Sequence, residues 1–164
     1  MEKKTWKVAV IGCGSFAQLQ YLPNISREAN AETVAVVDVN PEFTHAIAEK
    51  YGIPNWYTTV EELIEKCDFD IAIDAASIQQ HHAINMAVLG AGKHLISQKP
   101  AAETVEEISE QIELAKKNHV KFVCAPVHPL RYDLNMALQM IRDGVIGNAY
   151  YAKCNMSHGG PEYF

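Results

Sequence analysis

A glycine-rich turn between two apolar segments is the feature that most constrains the fold of this chain. Residues 7–11 (Lys-Val-Ala-Val-Ile) form a β-branched run, which is typical of a strand buried on both faces of a parallel sheet. The turn that follows fits the pattern G-x-G-x-x-G/A and consists of Gly12, Cys13, Gly14, Ser15, Phe16 and Ala17. A helix-compatible stretch and a second apolar run, which ends at Asp38, complete the segment. This order predicts a βαβ unit that binds a dinucleotide.

The turn residues have distinct predicted roles in such a unit. Gly12 permits the tight turn, Gly14 leaves room for the pyrophosphate, and Ala17 lets the helix pack closely on the strand. Ser15 and Phe16 lie where the helix begins, and a helix N-terminus offers unpaired N–H groups to phosphates. The alternative is a glycine turn in some other α/β protein, in which Asp38 is only a strand-end residue.

The acid at the end of the second apolar run predicts which dinucleotide binds. Asp38 can accept hydrogen bonds from the ribose hydroxyls of adenosine, and its charge would repel a 2′-phosphate. Val39, the next residue, offers no cation to such a phosphate. The predicted cofactor is therefore NAD(H), with NADP(H) less favoured, and these two residues are predicted to contact it.

Composition excludes several other classes of function. The chain has 164 residues, of which 48% are hydrophobic, and a net charge of -6, which argues against binding to nucleic acid. No apolar run approaches the roughly 18 residues of a membrane span, and no signal peptide is visible. Four scattered cysteines without a CxxC pair predict a cytoplasmic protein with no metal site.

Strands and helices alternate along the chain. We expect an α/β fold with a Rossmann-like, doubly wound parallel sheet over residues 1–147. Residues 148–164 read as the start of a truncated C-terminal α/β domain, with a strand from Ala149 to Met156. Helix starts are predicted at Asn40, Thr59 and Thr104 from their capping patterns. The last of these helices is predicted to bury Val105, Ile108, Ile112 and Ala115, and the helix over 79–91 to bury Ala83, Ile84, Ala87, Val88 and Ala91.

A second motif carries a family resemblance. Residues 92–100 (Gly-Lys-His-Leu-Ile-Ser-Gln-Lys-Pro) resemble the A-G-K-H-V-x-x-E-K-P block of the glucose–fructose oxidoreductase / inositol dehydrogenase (Gfo/Idh/MocA) family. With the glycine turn and Gly144–Gly147, the resemblance covers essentially the whole chain. It implies an NAD-binding N-terminal domain and a C-terminal domain that supplies the substrate pocket. It also implies oxidation of a secondary alcohol on a sugar, cyclitol or polyol, by a full-length protein expected to be a homo-oligomer.

The resemblance assigns a catalytic role to one residue. Lys99 matches the lysine that lies beside the nicotinamide and the reacting hydroxyl, where an ammonium would stabilise a developing alkoxide. Gln98 stands where the family usually has glutamate, so a hydrogen-bonding role remains open while the charge is lost. Pro100 could follow a cis peptide bond. The family's D-x-x-x-H element has no match before Phe164, so turnover by this chain alone is not expected.

Further residues are matched less fully. Ala76 and Ser77 are expected to line the cofactor near its nicotinamide ribose. Of the family's T-P-N-x-x-H motif, this segment keeps only the histidine, His81. His81 is either a cofactor residue or a structural one. Asp74, in an apolar strand, is either a strand-end residue near the cofactor or a partnered buried acid. The substrate candidates after the sixth predicted strand are His128, Arg131 and Tyr132, and the last two could instead begin a helix.

Three other functions stay open on this reading. Some proteins of the same fold are glycosidases or epimerases that use transient oxidation by NAD. A non-catalytic NAD-binding regulator would account for the departures at Gln98 and residues 76–78. A third possibility is a protein similar to biliverdin reductase, acting on a linear tetrapyrrole.

Overall fold

The computed structural model describes residues 4–126 and 131–155 of the chain. The chain divides into two compact units between Ala125 and Pro126. The strands of the first unit are β1 (Trp6–Ile11), β2 (Ala31–Val37), β3 (Asn55–Tyr57), β4 (Ile71–Asp74), β5 (His94–Ser97) and β6 (Phe122–Cys124). Its helices are a π-helical segment (Ala17–Tyr21), α1 (Leu22–Ile25), α2 (Pro41–Tyr51), α3 (Val60–Lys66), α4 (Ile78–Gly90) and α5 (Val105–Lys117), and the second unit contains α6 (Tyr132–Arg142). The predicted boundary after Gly147 stays a prediction.

The strands form one parallel sheet in the order β3-β2-β1-β4-β5-β6. The chain builds outward from β1 to β3, then returns to the other side of β1 and continues to β6. This confirms the predicted doubly wound, Rossmann-like α/β fold. Because Ile11 pairs with both Val37 and Asp74, the segments that follow these strands meet at one edge of the sheet. Ser97, which pairs with Asp74, brings the end of β5 to the same edge.

Both faces of the sheet are covered by helices. Along β1, Val8 and Val10 belong to one buried cluster, whereas Ala9 and Ile11 belong to the other. Successive residues of a strand point to opposite faces, so a strand buried on both faces needs an unbroken apolar run. The apolar run over residues 7–11 predicts β1 correctly because burial on both faces requires apolar side chains at successive positions.

The predicted helix starts are confirmed. The side chains of Asn40, Thr59 and Thr104 each accept a hydrogen bond from a backbone N–H of the first turn. Thr104 forms a complete capping box with Glu107. The helix that begins after Asn40 ends at Gly52, whose φ of 66° is in the left-handed region that glycine tolerates.

The helix after the glycine turn departs from regular α geometry. Its middle is π-helical, and the N–H of Leu22 donates to the carbonyl of Ala17, five residues earlier. Pro23 has no N–H, so it cannot make the usual bond to the carbonyl of Leu19. A single α turn follows and ends the helix at Ile25.

The predicted apolar face of α5 is wrong in part. Val105 is 72% exposed and Ile112 is 40% exposed, whereas Gln111 is fully buried beside Ala115. In α4, the buried residues are His81, Asn85, Val88 and Leu89, while Ala83, Ile84 and Ala87 line a cavity. Both helices therefore bury polar side chains that the apolar pattern does not place on the buried face.

Two further differences concern short strands. The edge strand β3 has three residues, Asn55–Tyr57, and was not predicted because so short a run carries no periodicity. The predicted strand from Ala149 is wrong over residues 149–155, which are irregular, and Met156 lies outside the described residues. A strand needs a hydrogen-bonded neighbour, and the described residues of the second unit supply one helix and turns. Within that description, α6 has no buried residue.

Candidate cofactor-binding site

The glycine turn is fixed tightly against the two neighbouring strands. Gly12 donates its N–H to the carbonyl of Val37 at 2.8 Å and has a φ of 85°. A Cβ at this position would lie 2.6 Å from the backbone of both Ala75 and Ala76. Only glycine satisfies both conditions, because a side chain would be strained in φ and would collide with backbone that cannot yield.

The space above the second glycine is open. A Cβ built on Gly14 meets no atom of the described residues within 4 Å. Ser15 and Phe16, which begin the helix, are exposed beside this space, whereas Ala17 is buried beneath it. The predicted pyrophosphate site therefore has the open approach that a ligand needs, although contact with a ligand stays a prediction.

Asp38 joins the end of β2 to the glycine turn. Its Oδ2 accepts a hydrogen bond from the backbone N–H of Cys13 at 2.9 Å, and its Oδ1 lies 3.5 Å from the N of Asn40. The thiol of Cys13 is buried, and burial together with the charge of Asp38 raises its pKa to about 12. The side chain of Cys13 is also part of a buried hydrophobic cluster.

A cavity of about 440 Å³ opens beside Asp38. Its walls combine an apolar side from α4 with a polar side from the turn between β3 and α3. The lining residues are Ile11, Gly12, Val37, Asp38, Val39, Thr58, Thr59, Val60, Glu61, Ala76, Ser77, Gln80, Ala83, Ile84 and Ala87. A cavity of this size with few polar groups suits a planar, partly polar ligand fragment.

Several lining residues were missed from the sequence. Thr58, Thr59 and Glu61 follow β3, which the pattern did not reveal, so nothing indicated that they lie at the same edge as Asp38. Gln80 lies one turn into α4. Recognition of Asn55–Tyr57 as a parallel strand would have placed the threonines, because the carboxyl ends of parallel strands share one edge.

The carboxyl end of β4 holds a buried acid–histidine pair. Asp74 is fully buried, and its Oδ2 lies 2.6 Å from the Nδ1 of His81, which is 1% exposed. The other oxygen of Asp74 accepts the N–H of Ala76 at 3.0 Å. Burial raises the pKa of the Asp74 carboxyl, and the hydrogen bond from His81 acts in the opposite direction. Asp74 is thus both a strand-end residue and a partnered buried acid, and His81 is directed at it.

The residues predicted to lie on the nicotinamide side of the cofactor follow strands β4 and β5. Ser77 is the N-cap residue of α4, and its hydroxyl makes no capping bond to the described backbone, so it is available at the cavity wall. Gln98, which follows β5, donates from Nε2 to the hydroxyl of Tyr21 at 2.5 Å. Lys99 is exposed, and the Lys99–Pro100 peptide bond is cis.

Apart from Lys99, the predicted substrate residues come after the first unit in the chain. His128 falls outside the described residues. Arg131 and Tyr132 belong to the second unit, where Tyr132 begins α6 and Arg131 precedes it. The guanidinium of Arg131 makes two hydrogen bonds to the carboxylate of Asp133, at 3.2 and 2.7 Å. Their contact with a substrate stays a prediction.

Residues 4–126 and 131–155 contain no group of three or more His, Cys, Asp or Glu side chains arranged to hold a metal ion. In the same ranges, no helix has the length and apolar character required to span a bilayer.

Comparison with known proteins gives one family and several dehydrogenases. The family model GFO_IDH_MocA, described as an oxidoreductase family with an NAD-binding Rossmann fold, matches residues 6–125. D-glucoside 3-dehydrogenase of Escherichia coli is 25% identical over 92% of this chain and 43% of its own length. Inositol 2-dehydrogenase of Salmonella typhimurium is 28% identical over 73% of this chain and 36% of its own length.

A solved structure shows the same fold. Scyllo-inositol dehydrogenase from Lactobacillus casei, with bound NAD(H) and scyllo-inositol, superposes with a TM-score of 0.81 at 22% identity. The match covers 88% of this chain and 43% of that one. The chain thus spans less than half the length of the curated relatives it matches.

Proposed function

The chain belongs to the Gfo/Idh/MocA oxidoreductase family as an NAD-binding Rossmann domain, and from that premise we propose that it is the cofactor-binding portion of a dehydrogenase acting on a secondary alcohol. The substrate class proposed is a sugar, cyclitol or polyol. The relatives named above are dehydrogenases of a glucoside and of inositols, which supports this class.

One contact carries the proposal. The hydrogen bond between Asp38 and the N–H of Cys13 places a carboxylate at the junction of the glycine turn and the cavity. In a doubly wound sheet the adenosine half of a dinucleotide lies over the strands on the β2 side, and the pyrophosphate crosses at the glycine turn. Asp38 then faces the adenosine ribose, and Ala83, Ile84 and Ala87 form the apolar wall of the adenine pocket.

The remaining roles follow from position at the same edge. The helix N-terminus at Ser15 and Phe16 offers N–H groups to the pyrophosphate, over the open space at Gly14. The nicotinamide half would lie over the ends of β4 and β5, beside Ser77, Gln98 and Lys99. In this arrangement His81 shapes the turn through Asp74 and does not itself touch the cofactor.

Lys99 is proposed as the catalytic residue within this chain. NAD, when bound, supplies a hydride acceptor for the carbinol carbon. As the hydride leaves, the substrate O–H must lose its proton, and an ammonium within hydrogen-bond distance stabilises the alkoxide that develops. The exposed side chain of Lys99 is free to reach such an oxygen at the rim of the cleft.

The experiment is a calorimetric titration of the chain with NADH and with NADPH. We expect binding of NADH and clear discrimination against NADPH. Two variants separate the charge of Asp38 from its hydrogen bond. Asp38→Asn keeps an acceptor for the Cys13 N–H. It should reduce the difference in affinity between NADH and NADPH, while the free energy of unfolding stays near that of the wild type. Asp38→Ala should also lose about 1–3 kcal/mol of stability, because the buried Cys13 N–H loses its partner.

Two outcomes contradict the proposal in different ways. If Asp38→Asn leaves the ratio of NADH affinity to NADPH affinity unchanged, Asp38 is not the residue that selects NADH. Tight NADH binding by the full-length protein, without NADH formation from NAD on any sugar or polyol tested, would favour the non-catalytic regulator.

A further inference from the structure

The side chain of Gln98 links the turn that carries Lys99 to the helix after the glycine turn (residues 15–25), here named the glycine-turn helix. Gln98 reaches away from the end of β5 and donates from Nε2 to the hydroxyl of Tyr21 at 2.5 Å. Tyr21 is the last residue of the π-helical segment. The two residues are 77 positions apart in the chain, so this contact joins a helix and a turn that are distant in sequence.

The same amide also contacts the lysine itself. The Oε1 of Gln98 lies 3.4 Å from the backbone N of Lys99, and the backbone N–H of Gln98 donates to the carbonyl of Asp74 at 2.8 Å. The Gln98 side chain therefore sits between the Tyr21 hydroxyl and the Lys99 backbone. If Tyr21 holds this amide in place, it also limits where the backbone of Lys99 can lie.

The other side of Tyr21 faces the glycine turn. Its ring makes an edge-to-face contact with Phe16, with ring centroids 5.7 Å apart. Tyr21 is half-buried, and burial raises the pKa of its phenol, so the hydroxyl is neutral and can accept the Gln98 amide. Tyr21 thus contacts both Phe16, in the first turn of the glycine-turn helix, and Gln98, which precedes Lys99.

We propose that Tyr21 is a positioning residue, which fixes the Lys99 turn relative to the glycine-turn helix through Gln98. The inference rests on the proposed function, since it concerns the nicotinamide end of the site. It also gives Gln98 a role that needs no charge, because its partner is a neutral hydroxyl. The lysine and the pyrophosphate site would then move as one body, and the nicotinamide would meet Lys99 at a set distance.

The test compares Tyr21→Phe with Tyr51→Phe. The first variant keeps the ring and removes the hydroxyl that binds Gln98. The second is a matched control, because the hydroxyl of Tyr51 donates to the carbonyl of Gln18 in the same π-helical segment at 3.2 Å and does not touch Gln98. In the ligand-free chain, we expect the NMR signals of the Gln98 side-chain amide and the Lys99 backbone amide to shift in Tyr21→Phe but not in Tyr51→Phe.

Ligand binding then gives the functional readout. NADH and ADP-ribose share the adenosine and pyrophosphate parts, and only NADH carries the nicotinamide. Tyr21→Phe should weaken NADH binding about 3- to 10-fold, the range that one neutral hydrogen bond supports, while ADP-ribose affinity stays within about two-fold. In a Gln98→Leu background, Tyr21→Phe should have no further effect, because the link is already broken.

Each contrary outcome has a separate meaning. Equal weakening of NADH and ADP-ribose, or unmoved Gln98 and Lys99 signals, would overturn the role of Tyr21 and leave the proposed function standing. Failure of the wild-type chain to bind either ligand would overturn the proposed function and this inference together.

Discussion

At the scale of single residues, the two glycines of the turn serve different physical needs. Gly12 is required by the fold, because its φ is positive and the backbone of Ala75 and Ala76 leaves no room for a Cβ. Gly14 faces open space, so its lack of a side chain benefits a ligand rather than the fold. The sequence pattern predicts both glycines, but only the structure separates their roles.

The two alanine variants should therefore fail in different assays. Gly12→Ala should lose at least about 2 kcal/mol of stability, from strained φ and backbone overlap. Gly14→Ala should keep its stability within about 1 kcal/mol, since nothing is displaced, but should bind NADH more weakly. Urea unfolding and NADH titration of both variants check this. A Gly14→Ala variant with wild-type NADH affinity would place the pyrophosphate elsewhere.

The buried thiol of Cys13 gives a second residue-scale prediction. Its pKa of about 12 in the folded chain lies above the ordinary thiol value of about 8.5. The folded state therefore favours the neutral thiol. Its contribution to stability is complete below about pH 8.5 and is lost as the pH rises toward 12. The stability difference between wild type and Cys13→Ala should fall by up to about 1.4 kcal/mol per pH unit in that window.

Unfolding curves measured across this range check the slope. Cys154→Ala is the control, because the side chain of Cys154 is exposed and lies outside the two buried clusters. In the folded chain at about pH 8, thiol reagents should modify Cys124 and Cys154 quickly and Cys13 only after unfolding. Rapid modification of Cys13 would show that the turn opens readily.

At the scale of elements, α4 and α5 show where an apolar pattern misleads. A buried network of polar groups lies between them: the Nδ2 of Asn85 lies 3.0–3.1 Å from Ser97 Oγ, Ala101 O and Gln111 Oε1. The Nε2 of Gln111 donates to Ala101 O at 3.0 Å. Such a network holds the start of the segment after β5, so it replaces the apolar contacts that the pattern predicts. The apolar residues Ile84 and Ala87 are left to form a cavity wall.

On α5, we therefore expect Gln111 to contribute more to stability than Ile112, which is the reverse of what the apolar pattern predicts. Gln111→Leu should cost about 1–3 kcal/mol, since it takes one hydrogen-bond partner each from the Asn85 amide and the Ala101 carbonyl within a buried network. Ile112→Ala should cost less than about 1 kcal/mol, since Ile112 is 40% exposed. The free energies of unfolding of the two variants, measured by thermal or urea unfolding, show whether Gln111 or Ile112 lies on the buried face of α5. A larger loss in Ile112→Ala would mean that the helix is rotated from its described position.

At the scale of the whole molecule, the fold could be predicted because its determinants are local. The unbroken apolar strands, the glycine turn and the capping residues each specify one element, and right-handed crossovers assemble them into one sheet order. Asp38, Gly12 and Lys99 follow strands that the sequence reveals, so their place at one edge was predictable. Thr58, Gln111 and the Tyr21–Gln98 contact were not, because a three-residue strand has no pattern and side-chain partners far apart in sequence leave no local signal.

The division into two units leads to the final prediction, on the distribution of local stability. Strands β1, β2 and β4 contribute buried residues to the clusters on both faces of the sheet, whereas α6 is a helix of 11 residues with no buried residue among those described. A helix of this length without buried contacts is marginal in water. In hydrogen exchange of the chain, β1 and β4 should exchange slowly and α6 quickly. Added NADH should slow exchange in the glycine turn (residues 12–17) and in residues 38–39 and 75–84, which supply part of the cavity wall, and leave α6 unchanged. Slow exchange of α6 in the ligand-free chain would show that a surface covers it, and NADH-dependent protection of α6 would extend the site into the second unit.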